Sequence, residues 1–202
     1  LLTIQGLHDT YDEIFLPLHG KHQAANAASA LVAVEAFFGD QPLDIEAVRA
    51  GFAAVTSPGR CEVVHRDPTV ILDAAHNPHG AKALAQTLKS EFNFDEIVAV
   101  VGVFGDKDAL GILQELGPIV DHVIVTQSSS SRAMSSSDLE KLATSVFGND
   151  RVFEVKDLHT ALDRAVGDAT RPLSEDTVGI IVTGSVVTVG EARTYLRKKF
   201  AK

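Results

Sequence analysis

From residue 61 to residue 200 the chain alternates short apolar runs with stretches of helical spacing, and few folds accept that order. Apolar, β-rich runs stand at 61–65, 69–72, 97–103, 122–125, 152–155 and 177–183. Helical stretches stand at 81–91, 109–116, 138–147, 158–168 and 189–200. Strands that alternate with helices over short connections build right-handed crossover units, each helix lying on a face of one sheet. The pattern predicts an α/β unit, a mostly parallel sheet with helices on both faces. One junction is different: Arg66-Asp67-Pro68 is a turn signal, so 61–65 and 69–72 are expected to form an antiparallel hairpin.

Residues 1–57 read otherwise. Residues 1–18 alternate in places and suggest a strand pair or meander. Residues 24–38 form an Ala-rich helix that stops at Gly39. A second helix runs from Asp44, a good N-cap, to Val55, with Ile45, Val48 and Phe52 on one stripe. Thr56-Ser57-Pro58-Gly59 then breaks it, which places a domain boundary near 57–60 and divides the chain into 1–57 and 58–202. The first residues read as the middle of a strand and carry no Met, so the expectation is part of a larger protein.

Charge and composition narrow the partners. A formal net charge of −9 lacks the basic face that phosphate neutralisation requires, so nucleic acid is not an expected partner. No run of apolar residues is long enough to span a bilayer, and the N-terminus lacks the basic start of a signal peptide, so no membrane role is expected. The single cysteine, Cys61, excludes an internal disulfide and a Cys-based zinc site, which fits a reducing cytoplasm. With no activating base beside it in sequence, it reads as a small apolar filler.

The chemistry-bearing residues gather where strands end. Thr69-Val70-Ile71-Leu72 runs into Asp73-Ala74-Ala75-His76-Asn77-Pro78, and Pro78 suits the first turn of the helix that follows. Ligands of open α/β sheets bind beyond the carboxyl ends of the strands, so Asp73 and His76 are candidates to face one. Asp and Asn before a helix also serve as caps, and both readings stand. Val101-Gly102-Val103-Phe104-Gly105-Asp106-Lys107-Asp108 closes another strand: Asp108 reads as an N-cap, Lys107 as a cation at the same crevice, and no G-x-G-x-x-G is present. Arg60, after Pro58-Gly59, sits on a tight turn where its guanidinium can fork onto phosphate oxygens. Thr183-Gly184-Ser185 ends the last strand, and Val189-Gly190-Glu191-Ala192-Arg193 opens the last helix. The Ser-rich stretch 127–137 reads either as a mobile linker or as a loop that carries Arg132 to an anionic ligand.

Taken in order, Gly20-Lys21-His22-Gln23 with Asn26-Ala27, Pro58-Gly59-Arg60, Asp73-Ala74-Ala75-His76-Asn77-Pro78, Gly105-Asp106-Lys107-Asp108 and the Thr183-Gly184-Ser185, Val189-Gly190-Glu191-Ala192-Arg193 pair resemble the folylpolyglutamate synthase and dihydrofolate synthase family, a branch of the Mur ligase superfamily. The Asp-Ala-Ala-His-Asn-Pro form and the closing pair favour this branch over the cell-wall ligases. Members have an ATP-binding domain with a P-loop, then a smaller Rossmann-like domain, with the active site between. The resemblance implies ATP-dependent amide formation. A folate or dihydropteroate carboxylate becomes an acyl phosphate, and L-glutamate displaces the phosphate. Carried over by position, Asn26 would contact the adenine region, Arg60 the nucleotide phosphates and Asp73 the ribose. His76 would lie beside the nucleotide and the reacting groups, and Ser185 near the incoming glutamate, with Lys107 and Arg132 as further cations for substrate.

The chain departs from the family in one large respect. No G-x-x-x-x-G-K-[ST] occurs, so the phosphate-cradling loop is missing, together with the family's Mg²⁺ ligands and carbamylated lysine. The resemblance therefore makes 1–57 the end of the ATP-binding domain and 58–202 the glutamate-ligase-type domain. The absent N-terminal ATP-binding domain becomes a required partner, and no turnover is expected from this chain alone. A stand-alone ligand-binding module and a Mur-type ligase for another amino acid are the competing readings. Alanine at Asp73 or Arg60 of the complete protein is expected to reduce activity far more than stability.

Overall fold

The computed structural model describes residues 1–39, 41–170 and 177–201. They pack as two units, Leu1–Pro58 and Gly59–Lys202. In the first, β1 (Leu2–Gln5) and β2 (Thr10–Ile14) form an antiparallel pair, followed by α1 (Lys21–Phe38) and α2 (Ile45–Ala53). Ile4, Tyr11, Ile14, Ala27, Leu31 and Val48 make its small core. Helix α1 begins three residues before the Ala-rich run, because Gly20 takes the positive φ of 102° at the turn and Lys21-His22-Gln23 completes the first turn. Only the stripe Gln23, Ala27, Leu31 and Glu35 is buried. The spacing of four is one face of a helix.

Glu35 is a buried carboxylate that sequence reading passed over. It accepts from the Leu7 N–H at 2.6 Å and from the Tyr11 hydroxyl at 2.8 Å, and that hydroxyl in turn accepts from the Leu43 N–H at 2.8 Å. Burial works to raise its pKa, but the Leu7 N–H and the Tyr11 hydroxyl outweigh burial and hold it below the usual carboxylate range. The network ties the strand pair to α1.

The second unit is the α/β sheet. Among its described residues, six strands lie in the order β3-β4-β8-β5-β6-β7: β3 (Glu62–Arg66), β4 (Thr69–Leu72), β5 (Glu96–Val101), β6 (His122–Gln127), β7 (Val152–Asp157) and β8 (Val178–Thr183). The β3–β4 pair is antiparallel, as the turn signal predicts, and every other pairing is parallel. Successive side chains of a strand face opposite ways, and here they sort into two cores. Ile71, Ala99, Val101, Val123, Val125 and Ile181 pack under α3 (Pro78–Glu91), α4 (Ala109–Leu116) and α5 (Ser136–Phe147). Val70, Leu72, Val98, Val100, Ile124, Ile180 and Val182 pack under α6 (Leu158–Ala169) and α7 (Val186–Phe200). Continuous apolar runs such as 97–101 are what strands buried on both faces require. Helix α7 starts at Val186 rather than 189, because Ser185 caps it. Strand β5 ends at Val101, two residues short of the apolar run.

Candidate functional site

The turn after β4 is tied down by its own polar residues. Asp73 accepts the Cys61 N–H at Oδ2 and the Ala75 N–H at Oδ1, each at 2.8 Å, and it is 9% exposed. Its carboxylate thus holds the turn to the preceding loop. Asn77 accepts the Gly80 N–H at 2.8 Å and caps α3. His76 is half-buried, with Nδ1 3.0 Å from the Ala74 carbonyl oxygen. A carbonyl only accepts, so Nδ1 donates to it, and Nε2 has no protein partner among the described residues. Of this cluster, Asn77 follows the capping reading, Asp73 anchors the turn, and His76 keeps an uncommitted atom.

Arg60 stands on the loop that Asp73 anchors. Gly59 has φ of +70° and Cys61 φ of +46°, and the Gly59 carbonyl accepts the Ala74 N–H at 2.7 Å. A Cβ on Gly59 would meet Val189 at 3.0 Å, so α7 packs directly on the backbone here. The Gly59 N–H donates to Glu62 at 2.8 Å, and Glu62 also accepts from the Arg193 Nε at 2.8 and 3.0 Å. Burial works to raise the Glu62 carboxyl, while Arg193, the Gly59 N–H and Arg197 outweigh it and hold it below the usual range. The Arg60 side chain is exposed and has no ion pair or hydrogen bond among the described residues. Cys61 is buried, and its thiol is pushed up to about 12 by burial with help from the charges of Asp73 and Glu91. That is an inert filler, as its isolation in sequence predicts.

At the ends of β5 and β6, Lys107 and Arg132 converge on a residue that sequence reading did not single out. Arg132 donates to both carboxylate oxygens of Asp106 at 3.0 and 2.9 Å, and its guanidinium lies 4.7 Å from the centre of the Phe104 ring. The Lys107 ammonium is 3.2 Å from Asp106. Bonding to Arg132 first, and then to Lys107, holds the Asp106 carboxyl below its ordinary pKa. Two cations and one carboxylate leave a net positive cluster rather than two free cations.

The Ser-rich stretch is not a loose linker. Arg132 offers its carbonyl to the Gly105 N–H at 2.9 Å, the Met134 N–H reaches Val103 O at 2.9 Å, and Ser129 donates through its N–H and hydroxyl to Glu191. Ser135 caps α5, and Ser136 is buried with its hydroxyl 2.6 Å from Glu154. The composition suggested mobility, but these hydroxyls are spent on specific acceptors.

Ser185 is 1% exposed. Its Oγ accepts the Thr188 N–H at 3.0 Å and donates to the Thr188 hydroxyl, which donates on to Gly102 O at 3.0 Å. Gly184 beside it has φ of +108°, and a Cβ there would lie 2.6 Å from that same oxygen. The structure thus gives Ser185 a capping role within the β8–β5 junction. Asn26 belongs to the first unit, exposed on α1, with Nδ2 3.0 Å from Gln23 Oε1.

The carboxyl ends of the parallel strands therefore hold Asp73 and His76 beside Arg60, Lys107 with Arg132, and Ser185 on the strand between β4 and β5. Among the described residues no group of three or more His, Cys, Asp or Glu side chains could hold a metal ion. The residues missed from sequence are Glu62, Asp106, Glu191 and Arg193. The Val-Gly-Glu-Ala-Arg run contained two of them, but its partners lie 62 and 131 residues away and leave no local signal.

Comparison with known proteins shows what the chain is similar to. The dihydrofolate synthase/folylpolyglutamate synthase of Mycobacterium tuberculosis is 51% identical over 205 residues, covering 96% of this chain and 42% of that protein. A solved structure of Mycobacterium tuberculosis folylpolyglutamate synthase complexed with ADP superimposes with a TM-score of 0.92 at 54% identity, over 97% of this chain and 44% of that one. E. coli FolC in complex with DHPP and ADP matches with a TM-score of 0.80 at 28% identity, over 96% of this chain and 43% of that one. The chain thus spans less than half the length of these relatives. The family profile described as "Mur ligase, glutamate ligase domain" matches residues 59–186, and on that match the chain belongs to the Mur ligase family.

Proposed function

We propose that the complete protein to which this chain belongs is an ATP-dependent ligase that joins L-glutamate to the carboxylate of a dihydropteroate or folate. In this reading residues 1–57 end its ATP-binding domain and residues 58–202 form its glutamate ligase domain, in the cytoplasm. One observation carries the reading: an exposed guanidinium, Arg60, with no partner among the described residues, stands on a loop pinned to the strand end that also holds His76. The relatives' names and their ADP complexes support it.

The substrate carboxylate attacks the γ-phosphorus of ATP, ADP leaves, and an acyl phosphate forms. The neutral glutamate amine attacks the acyl carbon, inorganic phosphate leaves with the bonding pair, and the proton shed by the new amide nitrogen goes to the departing phosphate. Such transfers depend on positioning and on stabilising developing charge. Arg60 supplies a fork of donors for phosphate oxygens. His76 Nε2, without a partner among the described residues, supplies a hydrogen-bonding atom beside the reacting groups. Lys107 and Arg132, preset by Asp106, supply positive charge for substrate carboxylates, and Asn26 serves the adenine region. Asp73 carries its ribose contact only with oxygens already engaged by Cys61 and Ala75. Ser185 stands near the glutamate by way of the turn it caps. Among the described residues no cluster of carboxylates or imidazoles could hold Mg²⁺, and in this reading its ligands lie in the N-terminal part of the complete protein.

The test is phosphate release by the full-length protein with ATP, L-glutamate and either pteroate substrate. Release that requires both glutamate and pteroate supports the reading. Release with another amino acid in place of glutamate redirects it, and nucleotide binding without release overturns it. The 202-residue chain alone is expected to release no phosphate.

A further inference from the structure

We propose that Glu62, clamped by Arg193, is a positioning residue for Arg60. The proposal rests on the reading that Arg60 takes nucleotide phosphate, and it adds two residues to the machinery. Glu62 opens β3, two residues past Arg60, and its side chain is 17% exposed. One oxygen accepts the Gly59 N–H at 2.8 Å. Arg193 donates to both oxygens from the first half of α7, and Arg197, one turn on, adds a contact at 3.3 Å. Across the loop, Cys61 N–H is fixed by Asp73 and Gly59 O by Ala74 N–H. Both neighbours of Arg60 are thus hydrogen-bonded, and both hold a positive φ that few other backbones would impose. The direction in which Arg60 leaves the backbone is set before any ligand arrives.

A guanidinium on a fixed base loses less freedom when it binds, which is the general gain of preorganisation. Without Glu62 the Gly59 N–H loses its acceptor and the ion pair to α7 is gone, which leaves only the packing of Val189 on the loop. Arg60 keeps its charge but no longer its place. The rival reading is that Glu62 and Arg193 only fasten β3 to α7. It predicts lower stability with no selective effect on nucleotide.

The experiment is steady-state kinetics on the full-length enzyme with Arg60→Ala, Glu62→Ala and the double variant, with melting temperatures alongside. Arg60→Ala is expected to raise KM for ATP by about tenfold or more, the loss of a charge-assisted hydrogen bond. Glu62→Ala is expected to raise KM for ATP by about three- to tenfold with little change in KM for L-glutamate. In the Arg60→Ala background it should add nothing to KM for ATP, because a residue acting through another has no separate effect once that other is gone. Glu62→Gln, which keeps an acceptor for Gly59, should recover part of the loss. If Glu62→Ala fails to fold, Arg193→Gln asks the same question, since it breaks the clamp and leaves the carboxylate on Gly59. Equal rises in KM for both substrates, or a Glu62 effect that persists at full size without Arg60, would overturn the positioning role. Impaired Arg60→Ala beside unaltered Glu62→Ala and Arg193→Gln also overturns it while sparing the nucleotide reading. An unaltered Arg60→Ala overturns both.

Discussion

Asp73 and Arg60 are adjacent in the site but differ in what their side chains already do. Both oxygens of Asp73 accept buried backbone N–H groups, so Asp73→Ala strands two donors and is expected to cost about 2–4 kcal/mol of stability. Arg60→Ala removes an exposed side chain with no protein partner among the described residues and should leave the melting temperature nearly unchanged. Calorimetry of the two variants side by side checks the contrast, which departs at Asp73 from the expectation that each loss would fall far more on activity than on stability. Glu62 adds a pH dependence. Its folded pKa lies below the ordinary glutamate value of about 4.3, so its contribution is complete above that value and disappears as pH falls through the folded one. The gap in melting temperature between wild type and Glu62→Gln should therefore stay level near neutrality and close in acid. Sequence alone brought forward Arg60, His76 and the inert Cys61, because a glycine turn, a strand end and an isolated thiol are local features. It could not show that Asp73 is spent on backbone, nor that Lys107 and Arg132 share Asp106, because those facts depend on which chain segments meet.

Among the described residues, six helices carry a side-chain cap: Asp44, Asn77, Asp108, Ser135, Asp157 and Ser185 each accept an N–H from three residues on. Asp44 and Asp108 were legible as caps. Ser185 was not, because Val186-Val187-Thr188 is β-branched and looks like more strand. Ser185→Ala is expected to cost about 1–2 kcal/mol as a lost cap. Gly184→Ala should cost more than Ser185→Ala, since it meets both a left-handed backbone and the Gly102 carbonyl. Urea unfolding of the two variants ranks them. The parallel strands and the β3–β4 hairpin were the most legible part of the fold. Buried strands announce themselves by unbroken β-branched runs, and the Asp67-Pro68 turn by its residues.

At the scale of the whole chain, the first unit leaves an apolar helix only partly covered. Helix α1 buries one stripe, while Phe37 is 84% and Phe38 71% exposed. A helix apolar on several faces normally has partners on several faces. The 202-residue chain is therefore expected to bind a hydrophobic dye, and Phe37→Ser with Phe38→Ser to reduce that binding. In the full-length protein the same pair should change dye binding little. Strand order carries a different consequence. The last strand in the chain, β8, lies between β4 and β5, with Val70 and Val98 both registered against Ile180. Until residues 178–183 have been made, β4 and β5 face a gap with two open edges, so the centre of the sheet can close only after the other described strands have been synthesised.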